Sequence, residues 1–446
     1  MITQLKNFFK SRFPKGYIRL CCILLYPYNK WKKHQKNKQY LQQIEESSEY
    51  HKKALLKLIG KERINCVFLA LFDSVWKYDN VYRLMEKDTR FNPIILVCPI
   101  VNYGKENMYE NMETSYNTFK GKGYHVIRSY CIETDEYLDL RKELKPDIIF
   151  YTNPYRGLID DRYYIDNFKD ILTVYTPYFF CTNKDFHLSF NEPLHNLVWR
   201  RYLETEIHKQ YAEKYSLNKG RNVVVTGAPG IDDLINPNYH PHDVWQDKTH
   251  KKKRIIWAPH HTITPVGVIF YSCFLKYADF LLTLAKKYEE FIEICFKPHP
   301  ILKNRLYLAW GKEKTDDYYN QWNTGSNTFL SEGQYMDLFL TSDAMLHDSA
   351  SFIVEYLYVN KPVLRTLNGQ NLKEQFSEFG LSCLDFHYKS NSEEDIELFI
   401  QNVINGVDPM KEQRTKFVNE VLMPKGGMPS QNIINDIIDS IEHQRI

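Results

Sequence analysis

Residues 344–365, AMLHDSASFIVEYLYVNKPVLR, contain the local pattern that decides the fold class of this chain. The apolar run at 344–347 predicts a buried strand, and the small polar residues after it predict a loop. The stretch at 352–359 predicts a helix, which ends before Pro362 and the next apolar run. Strand, loop, helix and strand in this order form the repeating unit of parallel α/β sheets.

The same alternation extends in both directions from this unit. Two stretches in the first half of the chain, 137–144 and 194–215, have helical periodicity or amphipathic charge. Short runs rich in β-branched and aromatic residues predict strands at 64–71, 93–98, 124–128, 147–151, 171–175 and 222–226, and again at 254–258, 291–297, 344–347 and 362–365. Such runs, separated by helices, are typical of parallel sheets that helices cover on both faces.

A polar segment at 236–253, with two prolines and a terminal run of cations, divides the alternation into two α/β units. We therefore predict two domains that face each other across a cleft. The expected boundaries are a basic segment at 1–55, a first domain at 56–240, a linker at 241–253, a second domain at 254–420 and a closing loop and helix at 421–446. Ligands of such sheets bind beyond the carboxyl ends of the strands.

The charge of the chain is distributed unevenly. The 58 basic and 55 acidic side chains give a net charge of +3, yet residues 1–39 contain ten basic residues and no acidic one. Because aromatic residues alternate with these cations, the segment is expected to lie on an anionic membrane surface. The alternatives are a frayed basic arm or a helix packed on the body. The remainder is acidic, 48 basic against 55 acidic residues, and has no nucleic-acid motif, so a nucleic-acid partner is not expected.

Several classes of protein are excluded or disfavoured. The apolar stretch at 20–26 is far shorter than the ~20 residues of a spanning helix, and no signal-peptide cleavage site follows it. Nine cysteines, an odd number without a CxxC pair, indicate a reducing cytoplasm. The chain lacks GxGxxG, GxxxxGK[ST], GxSxG, HExxH and D-x-D motifs, so neither a cofactor nor a metal ion is predicted.

Three polar loops follow predicted strands of the second unit, and each contains histidine. They are WAPHHT at 257–262, FKPHP at 296–300 and HDSAS at 347–351. Because the carboxyl ends of parallel strands meet at one edge of a sheet, we expect these loops to lie near the same ligand. Imidazoles act as bases, acids or phosphate donors near neutral pH. Each histidine alone could equally be structural.

The third loop has the pattern of an anion site. Small residues at the start of a helix expose backbone N–H groups, and Ser349 and Ser351 add hydroxyl donors. With Asp348 and His347 they are candidates for binding a nucleotide or phosphate, and Glu355, one turn later, could bind a ribose. The alternative is an ordinary helix cap made by Asp348 or Ser349.

The other two loops supply the candidate catalytic residues. These are His260, His261 and His299, with Lys297 as a phosphate-binding cation. No carboxylate lies at ligand spacing from the histidines, which disfavours zinc. In the first unit, Asp73 and Tyr178 follow predicted strands and are candidates for the acceptor side, although the aromatic residues around Tyr178 could belong to the core.

The second half of the chain resembles a known family. The segments WAPHHT, FKPHP and HDSASFIVEYLYVNKPVL, together with TGAPGID and the closing KGGMPSQNIINDIIDSI, are similar to the CDP-glycerol glycerophosphotransferases, the teichoic-acid primases and polymerases and their capsule-associated relatives. The likeness covers residues 220–446 well and the first half only in outline. HDSASFIVEY is its most specific part.

The resemblance implies a GT-B fold, two Rossmann-like domains with the nucleotide held mainly by the second. It implies metal-independent transfer of a polyol phosphate from a CDP-alcohol to a lipid- or glycan-linked acceptor, with release of CMP, on the inner face of the cell membrane. By this likeness Asp348, Ser349 and Ser351 would hold the donor phosphates or ribose, His299 would face the pyrophosphate, and Glu355 would be a ribose or structural partner.

Two departures from the family pattern leave the base open. The Trp-His-Gly motif that many members have in the first domain is absent, and we match its position to YTPYF at 175–179, which has no histidine. The Asp-Tyr-Ser-Ser loop of the polymerases is replaced by HDSAS. Either another group, such as His260 or His261, accepts the proton of the acceptor hydroxyl, or the acceptor chemistry differs from that of the family. His299, Lys297 and the helix start are expected to offset the charge of the leaving group.

Two other functions remain open from the sequence. The first is a GT-B glycosyltransferase that uses a nucleotide-sugar in cell-surface polysaccharide synthesis, because one fold accommodates many donors. The second is a non-catalytic subunit at the membrane periphery. Three histidine loops at one sheet edge argue against the second, since a scaffold does not require them.

Overall fold

The computed structural model describes residues 38, 40–73, 75–102, 104–265 and 269–443, apart from the side chain of Glu106. Most of the basic segment predicted at 1–55, and with it the membrane association predicted for it, lies outside the described residues. The part that is described is a helix at 40–56. Ile44 and Leu55 of this helix are buried in the core clusters around the first sheet.

The first sheet contains seven parallel strands. The strands of this half are β1 Ile64–Ala70, β2 Phe91–Val97, β3 Val126–Arg128, β4 Tyr130–Cys131, β5 Glu136–Tyr137, β6 Ile148–Tyr151, β7 Leu172–Tyr175, β8 Arg200–Leu203 and β9 Val223–Val225. β4 and β5 form a separate antiparallel hairpin. The others lie in the order β3-β2-β1-β6-β7-β8-β9, so the direction of winding changes between β1 and β6.

The second sheet contains six parallel strands. They are β10 Lys253–Ala258, β11 Ile292–Phe296, β12 Thr328–Leu330, β13 Ala344–His347, β14 Val363–Thr366 and β15 Tyr388–Ser390. Their order is β12-β11-β10-β13-β14-β15, with the change of winding between β10 and β13. No helix or strand lies between Ile235 and Lys253. A switch point between two buried strands is where an α/β sheet binds its ligands.

Helices cover both sheets. Those of the first half are 40–56, Asp79–Lys87, Lys105–Gly121, Leu140–Glu143, Phe186–Phe190, Pro193–Leu197, Glu206–Tyr215 and Asp232–Ile235. Those of the second half are Phe274–Lys287, Leu302–Trp310, Lys312–Thr324, Met336–Thr341, Phe352–Glu355, Leu372–Gln375, Glu378–Leu384, Glu393–Ile404, Lys411–Phe417 and Pro429–His443. Short 3₁₀ turns lie at Asp161–Tyr163, Ile165–Asn167, Pro229–Ile231 and Tyr356–Val359, and a π-helical turn at Val418–Leu422.

The last helix, Pro429–His443, returns to the first sheet. Its Ile433 and Ile437 are fully buried in the core of the first unit. Asp436 accepts hydrogen bonds from Arg200 Nε at 3.0 Å and from the Tyr202 hydroxyl at 2.9 Å. The end of the chain therefore ties the second half to strand β8 of the first.

The prediction of an α/β fold with two parallel sheets is confirmed, with local corrections. The single helix predicted at 194–215 is wrong, because strand β8 lies inside it. Its RRYL sequence is charged, but both arginines are buried: Arg200 forms an ion pair with Asp436, and Arg201 donates to the carbonyls of Ser189 and Phe190. The short edge strands β12 and β15 and the β4–β5 hairpin were not predicted either. Among the described residues no helix is both long enough and apolar enough to cross a membrane.

Candidate active site

The three histidine loops emerge side by side from the second sheet. Strand β10 lies between β11 and β13, with Trp257 paired to Phe296 and Ala258 to His347. All three strands are parallel, so the loops at 259–262, 297–300 and 348–351 leave the same edge of the sheet. The sequence predicts this convergence, and the structure confirms it.

His260, His261 and His299 form one cluster at this edge. The ring centroids of His260 and His261 are 4.3 Å apart, those of His261 and His299 are 4.3 Å apart, and those of His260 and His299 are 5.1 Å apart. One nitrogen from each ring lies within 4.8 Å of the others. This cluster is the centre of the candidate site.

The three rings are neutral at pH 7. Burial, together with the neighbouring His261 ring and the Lys297 ammonium, lowers the pKa of His299 to about 3. Burial and the adjacent histidines lower the pKa of His260 to about 2, and burial with the charge of Arg305 lowers the pKa of His261 to about 4. Each ring would become protonated, and so positively charged, only at a pH well below 5.

Backbone hydrogen bonds fix the tautomer of two rings. The Ile301 N–H donates to Nδ1 of His299 at 3.2 Å, and the Thr262 N–H donates to Nδ1 of His260 at 3.3 Å. A neutral imidazole whose Nδ1 accepts a hydrogen bond carries its hydrogen on Nε2. His260 and His299 therefore present N–H donors at Nε2.

These tautomers correct the expectation that His260 could be the base, and they also bear on whether the cluster could bind a metal ion. His260 was one of two candidates for the base, but its Nε2 already carries a hydrogen. Nδ1 of His261 accepts no such hydrogen bond, so its tautomer is not fixed in this way, and His261 stays the other candidate base. A metal ligand also needs a nitrogen free of hydrogen, so these bonds favour donors to a phosphate over ligands to a metal.

Asp348 holds the first and third loops together. Its carboxylate accepts hydrogen bonds from the backbone N–H groups of His260 and Cys273, the second at 2.6 Å. Burial raises the pKa of Asp348 to about 6, against the opposing effect of these hydrogen bonds and of Arg365. Both oxygens are engaged, so the geometry gives Asp348 a role in organising the loops and not the direct phosphate contact predicted for it.

His347 is also buried away from a ligand. Its Nδ1 donates to the carbonyl of Ser349 at 3.0 Å, and its Nε2 lies 3.2 Å from Nδ1 of His387. With both nitrogens engaged and only 1% of the residue exposed, His347 has no donor left for a phosphate. The predicted phosphate-binding role of His347 does not fit this geometry.

The serines of the third loop differ in their surroundings. Ser349 is buried, and its hydroxyl accepts the N–H of Ser351 at 3.2 Å. Ser351 is exposed at the start of the predicted helix, and its side chain makes no capping bond. Of the two residues in the capping alternative, Ser349 accepts a backbone N–H at the start of the helix, whereas Asp348 accepts from other loops, and Ser351 retains its hydroxyl for a ligand.

Cations surround the cluster. Lys297 is buried, which lowers the pKa of its amine, and Nζ donates to the Gly333 carbonyl at 2.8 Å. Arg305, on the helix after FKPHP, has a buried Nε without a hydrogen-bond partner and lowers the pKa values of His260 and His261. Arg305 was not predicted, because one arginine on an amphipathic helix gives no signal of its own.

Glu355 connects the two units. Its carboxylate accepts hydrogen bonds from the Tyr335 hydroxyl at 2.7 Å and from Lys77 Nζ at 3.3 Å, while Lys77 also lies 2.7 Å from the Tyr335 hydroxyl. Burial alone would lower the pKa of Lys77, but Glu355 and Tyr335 outweigh it and raise that pKa. Glu355, the residue predicted to bind a ribose, thus lies where the first unit meets the second.

The acceptor-side candidates lie in the first unit. Asp73 is half-buried in the loop after β1, four residues before Lys77. The half-buried Tyr178 follows β7, packs edge-on against Phe179, and shares a hydrogen bond with Tyr155. The structure places both on loops at the carboxyl ends of their strands, but it does not bring either into the histidine cluster.

The two parallel α/β sheets, with the histidine loops at the carboxyl edge of the second, have the architecture of the GT-B class. Two solved structures support the fold. The first is a UDP-N-acetylglucosamine 2-epimerase with a TM-score of 0.53 and 13% identity, and the match covers 86% of this chain and 98% of that chain. The second is the UDP-GlcNAc 2-epimerase from Neisseria meningitidis bound to UDP-GlcNAc, with a TM-score of 0.50 and 14% identity, and the match covers 84% of this chain and 100% of that chain. At these identities they show the fold alone.

The family follows from a match to residues 202–438, more than half of the chain. The chain belongs to the family described as CDP-Glycerol:Poly(glycerophosphate) glycerophosphotransferase. The resemblance seen in WAPHHT, FKPHP and HDSASFIVEY is thereby confirmed, and the chain is a transferase of this family. A comparison with curated proteins returned no match.

Proposed function

We propose that this protein transfers a polyol phosphate, glycerol phosphate or a similar unit, from a CDP-alcohol to a membrane- or glycan-linked hydroxyl in the synthesis of a teichoic-acid-like or capsular polymer. Family membership carries the proposal. The cluster of His260, His261 and His299 supports it, because two neutral N–H donors and neighbouring cations suit a pyrophosphate.

In the proposed reaction the acceptor oxygen attacks the β-phosphorus of the donor. The bond from that phosphorus to the bridging oxygen breaks, and CMP leaves with the electron pair. His261 accepts the proton of the attacking hydroxyl. Nε2–H of His299 and of His260, with Lys297 and Arg305, offsets the charge that develops on the leaving phosphate.

The remaining candidates would position the donor. The exposed hydroxyl of Ser351 would contact the phosphates, whereas Glu355, whose two oxygens accept from Lys77 and Tyr335, would act as a structural partner at the ribose end of the donor. Asp348 fixes the loop that carries His260. No step requires a metal ion, so we expect a chelator to leave the rate unchanged.

Donor binding tests this assignment against its rivals. We expect CDP-glycerol or CDP-ribitol, and CMP, to raise the melting temperature of the purified protein, because a ligand at a hundred times its Kd stabilises the folded state by about 2.7 kcal/mol. A rise with UDP-sugars alone would favour the glycosyltransferase alternative. No rise with any nucleotide would favour the non-catalytic subunit.

We further propose that residues 1–39 hold the cleft against the inner face of the cell membrane. Deleting this segment, which contains ten basic and no acidic residues, should abolish co-sedimentation with phosphatidylglycerol vesicles at low salt. The shortened protein should still bind CDP-glycerol, which checks that it is folded. Phosphatidylcholine vesicles are the matched control, and unchanged binding of the deletion to anionic vesicles would contradict the proposal.

A further inference from the structure

Arg365 is a buried cation beneath the third histidine loop. It lies on β14 opposite His347 of β13, and only 2% of the residue is exposed. Among the described residues, Asp348 is the carboxylate that acts on its charge, and the two side chains form no direct hydrogen bond. A buried arginine without a direct ion pair is costly, so its position indicates a role in the loop above it.

Arg365 fixes one peptide group of this loop. Its Nη1 donates to the carbonyl oxygen of Ser349 at 2.9 Å, and Nδ1 of His347 donates to the same oxygen at 3.0 Å. Both donors belong to buried residues, so this carbonyl points into the interior. No peptide bond of the described chain is cis, and in a planar trans peptide the N–H points opposite to the C=O. The N–H of Ala350 therefore points toward the open side of the loop.

The Ala350 N–H is available to a ligand. It donates to no other residue that the structure describes, whereas the next N–H, that of Ser351, donates to the Ser349 hydroxyl at 3.2 Å. Ala350 is half-buried and Ser351 is exposed. Two donors on one carbonyl oxygen polarise the peptide and strengthen its N–H as a donor. A fixed and polarised N–H of this kind suits a phosphate oxygen.

The same arginine supports the first histidine loop. Its guanidinium packs over the rings of Phe376 and Tyr271, at 5.0 and 5.8 Å from their centroids. The Tyr271 ring in turn packs edge-on against His260 at 5.3 Å, and the Tyr271 N–H donates to Oγ1 of Thr262 at 2.9 Å. Arg365 thus contacts groups that hold both the first and the third loop.

We propose that Arg365 is a positioning residue for the donor phosphates, holding the peptide between Ser349 and Ala350 so that the Ala350 N–H donates to a phosphate oxygen of the nucleotide. Arg365 acts through the loop, since it is buried beneath it. The proposal rests on the proposed function, because it takes the third loop as the phosphate-binding loop. It adds one backbone donor to those of His260 and His299.

The charge of Arg365 also acts on Asp348, which holds the first and third loops together. Burial raises the pKa of Asp348 to about 6, and Arg365 opposes this rise. Asp348 binds the backbone of His260 and Cys273, which are uncharged near neutral pH because burial lowers the pKa of the ring to about 2 and raises that of the thiol to about 12. Burial also keeps the adjacent His347 neutral by lowering its pKa. Removing the Arg365 charge should therefore raise the pKa of Asp348 further.

Calorimetric titration of the full chain with CDP-glycerol tests the proposal. Arg365→Met should weaken binding about 10- to 100-fold, the loss of one hydrogen bond to a charged group. Arg365→Lys, which keeps the charge, should recover part of the affinity. Ala350→Pro, which removes the N–H itself, should lose as much as Arg365→Met. The double variant should lose little more than either single variant, because both remove the same interaction.

A matched control and a pH series separate positioning from a general loss of stability. Arg254, also buried in the second sheet, lies near the amino end of β10 and pairs with Asp243 at 3.0 Å. Arg254→Met should leave the affinity for CDP-glycerol unchanged. Wild-type binding should weaken as the pH falls through about 6, where Asp348 becomes protonated. The midpoint should lie at a higher pH in Arg365→Met and should not move in Arg254→Met.

Three results would overturn the proposal. They are an unchanged affinity in Arg365→Met, a pH midpoint that does not move in that variant, and losses that simply add in the double variant. If Arg365→Met fails to fold, an unchanged affinity in Ala350→Pro overturns it.

The same titrations with UDP-N-acetylglucosamine separate this proposal from the proposed function. If the wild type binds that nucleotide and not CDP-glycerol, and Arg365→Met weakens the binding, the donor assignment fails and the role of Arg365 stands. If CDP-glycerol binds equally well to the wild type and to Arg365→Met, the role of Arg365 fails and the donor assignment stands. A wild-type protein that binds neither nucleotide contradicts both.

Discussion

Replacing His299 with alanine should reduce kcat for CMP release by about 10²- to 10³-fold, the usual loss of one oxyanion donor. The ring is neutral, and its Nε2–H is fixed by the Ile301 hydrogen bond, so alanine removes a preorganised donor beside the leaving phosphate. Steady-state kinetics and a thermal melt of the same sample measure the change. The melting temperature should barely move.

The pH profile distinguishes this role from general acid–base catalysis. Because the pKa of His299 is lowered to about 3, the group stays neutral from pH 8 down to pH 5 and charges only as the pH approaches 3. His299 should therefore contribute no inflection to the pH profile of the wild-type rate between pH 5 and 8. Any inflection in this range should also be present in His299→Ala. His187→Ala, an exposed histidine on a helix of the first unit, is the matched control. Near-wild-type CMP release by His299→Ala would contradict the assignment.

Replacing Lys77 with methionine should lower the free energy of unfolding by about 3 kcal/mol, because it leaves a largely buried carboxylate without its cation. The Lys77 and Glu355 side chains are 14% and 7% exposed, and Tyr335 bonds to both. Urea denaturation of Lys77→Met, Glu355→Gln and the double variant measures their coupling.

The double variant is the sharper measurement. If Lys77 and Glu355 act as a unit, the double variant should lose less free energy of unfolding than the sum of the losses in the two single variants, by about 1 to 3 kcal/mol. Lys142→Met, in the exposed pair with Asp139, is the matched control and should not measurably change stability. Strictly additive losses from Lys77→Met and Glu355→Gln would contradict the proposed connection between the units.

The sequence predicts the parts of the site that depend on local pattern. The strand, loop and helix at 344–359 are in place, and parallel strands bring His260 and His299 to one edge, as their positions after β10 and β11 predict. The tautomers could not be predicted, since they depend on backbone N–H groups whose direction follows from the folded loop. For the same reason His347, which has a loop position like the others, was wrongly expected to face a ligand.

Contacts between segments that are far apart in the chain also could not be predicted from the sequence. Lys77 and Glu355 are 278 residues apart, and nothing near Lys77 marks it as a partner. Strand β8 was not predicted, because its arginines are typical of the exposed face of a helix. Their burial depends on Asp436, 236 residues later, which pairs with Arg200. Such pairs form only when the two units and the last helix are packed together.

The most direct test of the central claim is the identity of the nucleotide that the purified full chain releases. The protein is incubated in EDTA with CDP-glycerol and a glycan- or lipid-linked hydroxyl acceptor, and in parallel with UDP-N-acetylglucosamine and the same acceptor. The proposed function predicts CMP, in a one-to-one ratio with glycerol phosphate on the acceptor, and a rate at least a hundredfold lower in His299→Ala. Release of UDP with transfer of the sugar, and no CMP from CDP-glycerol or CDP-ribitol, would contradict it.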